Sequence, residues 1–206
     1  MSLKVAATEI NRFLASAEPE VLCITGPWGA GKTYAWNLYL RAAKTVALDD
    51  YAYVSLFGQN SLQDVRNSIF ENTECLKAPQ AGSGLSSWKE KSERIGRQIA
   101  KYRQLVSSFT SEAAISIGER WMFASLKPTI VCIDDLERAG DGLSKKDVLG
   151  LVTQLKEQKK SKVVLLLNAA ALGNDQADFD QQIEKVADTI IAFAPTPKEA
   201  AVIGIS

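Results

Sequence analysis

Histidine is absent from this chain of 206 residues. That excludes a Ser-His-Asp triad, a Cys-His pair and any histidine-ligated zinc or haem. Cysteine is scarce: Cys23, Cys75 and Cys132 are odd in number and far apart, which leaves no basis for a disulfide framework or a CxxC metal site. Cys23 and Cys132 fall inside apolar runs and read as buried core thiols, and a reducing, cytoplasmic setting fits that reading. An excess of one charge is also missing. Lys plus Arg number 24 and Asp plus Glu number 24, so no basic surplus points to nucleic acid or an anionic membrane. No run approaches the roughly 18 apolar residues that span a bilayer. A secretory signal is lacking as well, because Val5, Ala6, Ile10, Phe13 and Leu14 recur at helical spacing among Glu9, Asn11 and Arg12.

What is present suits a globular protein. Apolar residues make up 46% of the chain, enough to bury a core, and the length is that of one domain spanning 1–206. Residues 3–15 read as an amphipathic helix. Val21 to Thr25 is a short apolar run suited to a strand covered on both faces. A glycine-rich stretch follows, then a helix from about Lys32 to Ala43. Tyr51 to Phe57 reads as a strand. Ser61 with Asp64 is a capping box for a helix carrying Leu62, Val65 and Ile69. Residues 77–87 are rich in Ala, Pro, Gly and Ser and read as a loop. Beyond them Ile95, Ile99, Tyr102, Val106 and Phe109 recur every three to four residues, the pattern of one long amphipathic helix. Thr129 to Ile133 is a strand running into Asp134 and Asp135. Ser144 with Asp147 caps a further helix, Val163 to Leu167 is a strand ending at Asn168, and a helix near 176–187 precedes a strand near 188–193.

Strands alternating with helices predict an α/β fold: a three-layer α/β/α sandwich around a mostly parallel five-stranded sheet. The stretch 77–126 is a helical insertion in it. The apolar segment Ala200 to Ile205 has no partner in this pattern, so the chain reads as a fragment of a longer protein.

Gly26-Pro27-Trp28-Gly29-Ala30-Gly31-Lys32-Thr33 matches G-x-x-x-x-G-K-[ST]. The glycines let successive backbone N–H groups curl around a phosphate, and the positive end of the following helix points at the same place. The spacing therefore predicts a phosphate-binding loop over Gly26 to Tyr34, with Lys32 neutralising phosphate charge and Thr33 ligating Mg²⁺. A chance match in a chain of this length is on the order of one percent; the competing reading is a glycine-rich turn that binds nothing. Ile130 to Ile133 followed by Asp134-Asp135 supplies the second element. Asp134 is expected to hold the metal shell, and Asp135 to orient the water attacking the γ-phosphate, with Glu137 its rival. Glu137 and Arg138 also suit a solvated helix start. Asn168 is expected to contact the γ-phosphate or the water; a simple strand terminator is the alternative. Trp28 reads as a shield for the phosphates, a stacking surface for a partner or a surface packing residue. Arg94, Arg97 and Arg103 suit the solvated face of their helix better than an arginine lid.

GPWGAGKT, YVSLFGQNSLQDVRNSIF, VCIDDLER and EKVADTIIAFAPTPKEA together resemble the KAP family of P-loop NTPases, an additional-strand class related to AAA+ and STAND ATPases. The resemblance covers most of the chain outside 77–126. It implies one strand lying between the loop strand and the acidic strand, hydrolysis of ATP or GTP by Lys32, Thr33, Asp134 and Asp135, and a sensor position at Asn168. Family members often carry membrane helices between the two motifs, whereas the insertion here is polar and amphipathic. A helical lid with a sensor arginine is not recognisable.

The leading expectation is an ATPase switch read by a protein partner or by self-association, with an arginine supplied in trans. A nucleotide-gated interaction module without hydrolysis and a small-molecule kinase are the alternatives.

Overall fold

An apolar run with no polar face must be covered on both sides. In the computed structural model of the protein, which describes residues 3–76 and 123–194, three such runs form the centre of one six-stranded sheet. The chain runs α1 (Leu3–Ala15), β1 (Val21–Thr25), α2 (Lys32–Ala42), β2 (Asp50–Ser55), α3 (Leu62–Asn72), β3 (Glu74–Cys75) and β4 (Thr129–Asp134). It continues through a 3-10 turn (Leu136–Arg138), α4 (Lys145–Glu157), β5 (Lys162–Leu167), a second 3-10 stretch (Ala169–Asp175), α5 (Gln176–Val186) and β6 (Thr189–Ala192). The strand order is β3-β2-β4-β5-β1-β6. Every pairing is parallel except that of β2 with β3.

Alternation along the strands divides the interior in two. Val21, Cys23, Val131, Ile133, Val163 and Leu165 face one side, where Val65 and Ile69 of α3, Val148 and Leu155 of α4, and Phe179 and Ile183 of α5 cover them. Leu22, Ile24, Ile130, Cys132, Val164 and Leu166 face the other, under Ile10, Phe13 and Leu14 of α1 and Trp36 of α2. The result is the expected three-layer sandwich. Burial pushes the Cys23 thiol up to about 12, with Asp180 adding to the effect, and raises Cys132 as well. Both are inert core groups. Trp36 is fully buried, meets the Phe13 ring edge-on at 6.3 Å, and donates from Nε1 to the Tyr51 hydroxyl at 3.1 Å. Trp36→Ala is expected to cost about 3–5 kcal/mol of stability, read as a lower urea midpoint.

The sheet has six strands rather than five. β3 is two residues long, pairs antiparallel with Asp50 and Tyr51, and is too short to leave a periodic signature. The strand expected over 51–57 stops at Ser55, where the Leu56 N–H makes a last bond to β4 at the Asp134 carbonyl, 2.8 Å away. Both capping boxes form: the Ser61 and Ser144 hydroxyls accept from the N–H groups of Asp64 and Asp147, each at 3.1 Å. The long amphipathic helix, its arginines and the final apolar segment lie outside the described residues, as does most of 77–126. Among the described residues no helix is long and apolar enough to cross a membrane.

Register positions the site. Thr25 is level with Leu167 on one side and Ala192 on the other, and Asp134 is level with Leu166 and Ser55. The carboxyl ends of β1, β2, β4 and β5 thus lie along one edge, where open parallel sheets place their ligands. β5 separates β1 from β4, the spacing that the resemblance implied.

Candidate functional site

The loop after β1 is built by close approaches that only glycine permits. The Gly26 N–H donates to the Leu167 carbonyl at 3.1 Å, and a Cβ on Gly26 would strike the Phe193 carbonyl. The Ala30 N–H closes a turn onto the Pro27 carbonyl at 3.3 Å, and Gly29 and Gly31 take φ of 74° and 83°. These left-handed values strongly favour glycine. Gly31 is also the N-cap of α2 and offers no side-chain cap, which leaves the first N–H groups of this 11-residue helix available to an external acceptor.

Lys32 is only 8% exposed and folds back over the loop, its Nζ donating to the carbonyls of Gly26 at 2.8 Å and Pro27 at 3.0 Å. Burial pulls its pKa below the usual lysine value, opposed by the charges of Glu137, then Asp134, then Asp135. The contacts of the ammonium itself are with the two loop carbonyls.

Asp134 is 6% exposed and tightly held. Its Oδ2 accepts from the Thr33 hydroxyl at 2.7 Å and from the Tyr53 hydroxyl at 3.0 Å, and its Oδ1 accepts from the Asp135 N–H at 2.8 Å. A hydroxyl and a carboxylate side by side are hard oxygen donors of the kind that magnesium takes together with substrate phosphates. Among the described residues no cluster of three acidic, cysteine or histidine ligands exists, so a cation here would complete its shell with water or with oxygens of a bound ligand.

Asp135 stands in the left-handed region, φ 58° and ψ 39°, as the N-cap of the 3-10 turn. The Ser55 hydroxyl donates to its Oδ2 at 2.9 Å, and the half-exposed Arg138 lies 3.7 Å from its Oδ1. Glu137 accepts from the Trp28 indole Nε1 at 2.9 Å. A solvated helix start therefore does not describe Glu137. Arg138 stacks instead over the exposed Phe57 ring, its Cζ 3.9 Å from the centroid. Asn168 is buried at the tip of β5, between the loop and the acidic strand, and its carbonyl accepts from the Ala171 N–H at 3.0 Å. Tyr34, on the exposed side of α2, takes no part in these contacts.

Tyr53 and Ser55 escaped the sequence reading. They sit two residues apart on β2, so they share a face, and the pairing of β2 with β4 brings that face to Asp134 and Asp135. A polar pair at the end of an otherwise apolar strand was the available signal, but using it required knowing which strand lay next door. A recess of about 390 Å³ opens beside the 3-10 turn, lined by Leu136, Glu137, Leu143, Ser144 and Phe179 among others. None of Gly26 to Thr33 lines it.

No family model and no curated protein matches the chain. Among solved structures it is similar to the ORC2 protein of Aeropyrum pernix in ADPNP–ADP complexes, with a TM-score of 0.52 and 15% identity over 97% of this chain and 51% of that one. It is also similar to Cdc6p from Pyrobaculum aerophilum (TM-score 0.47, 14% identity, 96% and 46% covered) and to Drosophila ORC bound to DNA (0.49, 14%, 98% and 45%). The chain spans about half the length of each. At these identities the likeness concerns the fold alone, and that fold is the one P-loop NTPases share.

Proposed function

We propose that this chain is a magnesium-dependent ATPase domain of the KAP type, over 1–206 with 77–126 inserted, whose hydrolysis drives a conformational switch read by a protein partner or a second copy. One observation carries the reading: a glycine nest opening into an uncapped helix, with the Thr33 hydroxyl 2.7 Å from a buried carboxylate on the next strand but one. Such a nest has little use except to hold an anion. The ADPNP and ADP of the similar Aeropyrum pernix structure support an adenine nucleotide.

In this mechanism the N–H groups of the loop and of the first turn of α2 bind the phosphates. Lys32 exchanges the carbonyls of Gly26 and Pro27 for phosphate oxygens. Bound magnesium would neutralise charge on the β- and γ-phosphates, held by Thr33 and Asp134. Asp135 orients the attacking water, and Asn168 contacts the γ-phosphate from the tip of β5. Calorimetric titration with ATP, ADP and GTP in magnesium, paired with phosphate-release kinetics, tests the reading. Failure to bind any purine triphosphate would end it.

Tyr53 fixes the lone-pair direction of Asp134, so Tyr53→Phe is expected to raise the magnesium concentration for half-maximal turnover by about 10-fold. Nucleotide affinity measured without magnesium should stay near the wild-type value. The rival reading, a nucleotide-gated interaction module without hydrolysis, draws support from Asp135, whose oxygens already face Ser55 and Arg138. Tight ATP binding with no phosphate released over many hours would favour it.

A further inference from the structure

Trp28 stands out because it is 65% exposed, yet its indole N–H is committed to a carboxylate 109 positions further along the chain. The bond joins the third residue of the glycine loop to the 3-10 turn after the acidic strand. Its acceptor is peculiar too: the second oxygen of Glu137, Oε2, is shut off from solvent and has no hydrogen-bond partner. A buried, unsatisfied carboxylate oxygen costs free energy, and the Trp28 indole is the donor that meets the other oxygen of the same carboxylate. Pro27, adjacent to Trp28, gives its carbonyl to Lys32 at 3.0 Å. Of the three carboxylates acting on Lys32, Glu137 exerts the largest effect. The Trp28 bond thereby ties a carboxylate to the same loop whose Pro27 carbonyl holds the Lys32 ammonium.

We propose that Trp28 is a positioning residue which clasps Glu137 over the loop beside Lys32, and that a triphosphate must break this clasp to seat its γ-phosphate. The proposal rests on the nucleotide-binding reading and deepens it. A terminal phosphate adds charge where Glu137 sits, so the clasp opposes ATP more than ADP. It makes the empty site self-blocking, and nucleotide entry frees Glu137 and Trp28 together. The indole, released at an exposed position, would then report occupancy to whatever binds that face.

Two measurements test this. Free of nucleotide, the ¹⁵N-labelled indole resonance that disappears in Trp28→Phe should move, and exchange faster with water, in Glu137→Ala. An indole that exchanges as freely in the wild-type chain and ignores Glu137→Ala would overturn the clasp. In calorimetry with the non-hydrolysable imido analogue of ATP, Trp28→Phe and Glu137→Gln should each tighten binding by about 3- to 5-fold, the size expected of a partly solvated charge contact. ADP should gain less than either. The double variant should bind no more tightly than Glu137→Gln alone, because Trp28 acts only through Glu137. Unchanged or weaker analogue binding in Trp28→Phe, or equal gains for ADP, would overturn the displacement. If the wild-type chain bound neither nucleotide, the nucleotide reading and the displacement would both fall, while the indole resonance would still decide whether the clasp exists.

Discussion

Lys32→Ala is expected to lower ATP affinity by about 100-fold or more, the worth of a lost charge-assisted contact to phosphate in a partly buried site. The size follows from where the ammonium sits. It is nearly enclosed, already short of its usual pKa through burial, and held to two carbonyls of the loop it would serve. Alanine removes the phosphate contact and the tie that keeps Gly26 and Pro27 turned inward. The effect on folding should be smaller, because the two hydrogen bonds to carbonyls, at about 1 kcal/mol each, are offset by removing a charge that burial disfavours. Calorimetry and a urea titration on the same preparation separate the two. Loss of binding with a near-normal unfolding midpoint is the expected pair, whereas retained affinity would show that phosphate does not lie against Lys32.

Asp135→Asn should leave ATP binding close to wild type and reduce turnover by about 100- to 1000-fold, the range over which a positioned acid–base group acts. Asparagine suits the test. It shares with aspartate a tolerance of the left-handed backbone found at 135, so the turn should survive. Its amide oxygen can still accept from the Ser55 hydroxyl that now holds Oδ2. What disappears is the charge. An undiminished rate would reject Asp135 as the water-orienting group and turn attention to Glu137. Glutamate at 135 would be a poorer probe, since the longer side chain must reach past Ser55 from a strained backbone.

The sequence made the fold legible wherever a residue's role is local. Apolar runs bounded by glycine, aspartate or asparagine marked β1, β4 and β5. Ser61 and Ser144 announced α3 and α4 through their partners three residues on, and the glycines before Lys32 marked the nest. What could not be read depends on which strands are neighbours. Tyr53 and Ser55 matter because β2 lies beside β4, and Trp28 meets Glu137 because the strand order brings their two loops together. β3 was missed because two residues carry no period. The candidate site was legible in its residue types and not in its pairings. Asp134 was expected beside Thr33, whereas Glu137 as the partner of Trp28 was not. The likeness to known structures reaches the P-loop NTPase fold, and the KAP resemblance goes further on motif residues alone.

β5 contributes Asn168 at its tip and otherwise only buried residues, yet it sets the gauge of the whole apparatus. The strand that launches the loop and the strand that ends in the two aspartates are held apart by its width alone, roughly 9–10 Å across two ladder spacings. The 2.7 Å contact of Thr33 with Asp134 must be reached across that fixed gap. A bulkier residue inside β5 would press on the helices covering the two faces rather than widen that gap, because side chains leave the sheet at right angles and the backbone ladder sets the spacing. The distance from hydroxyl to carboxylate is therefore a property of the main chain, and side-chain changes within this buried strand should appear as lost stability before they are felt at the site.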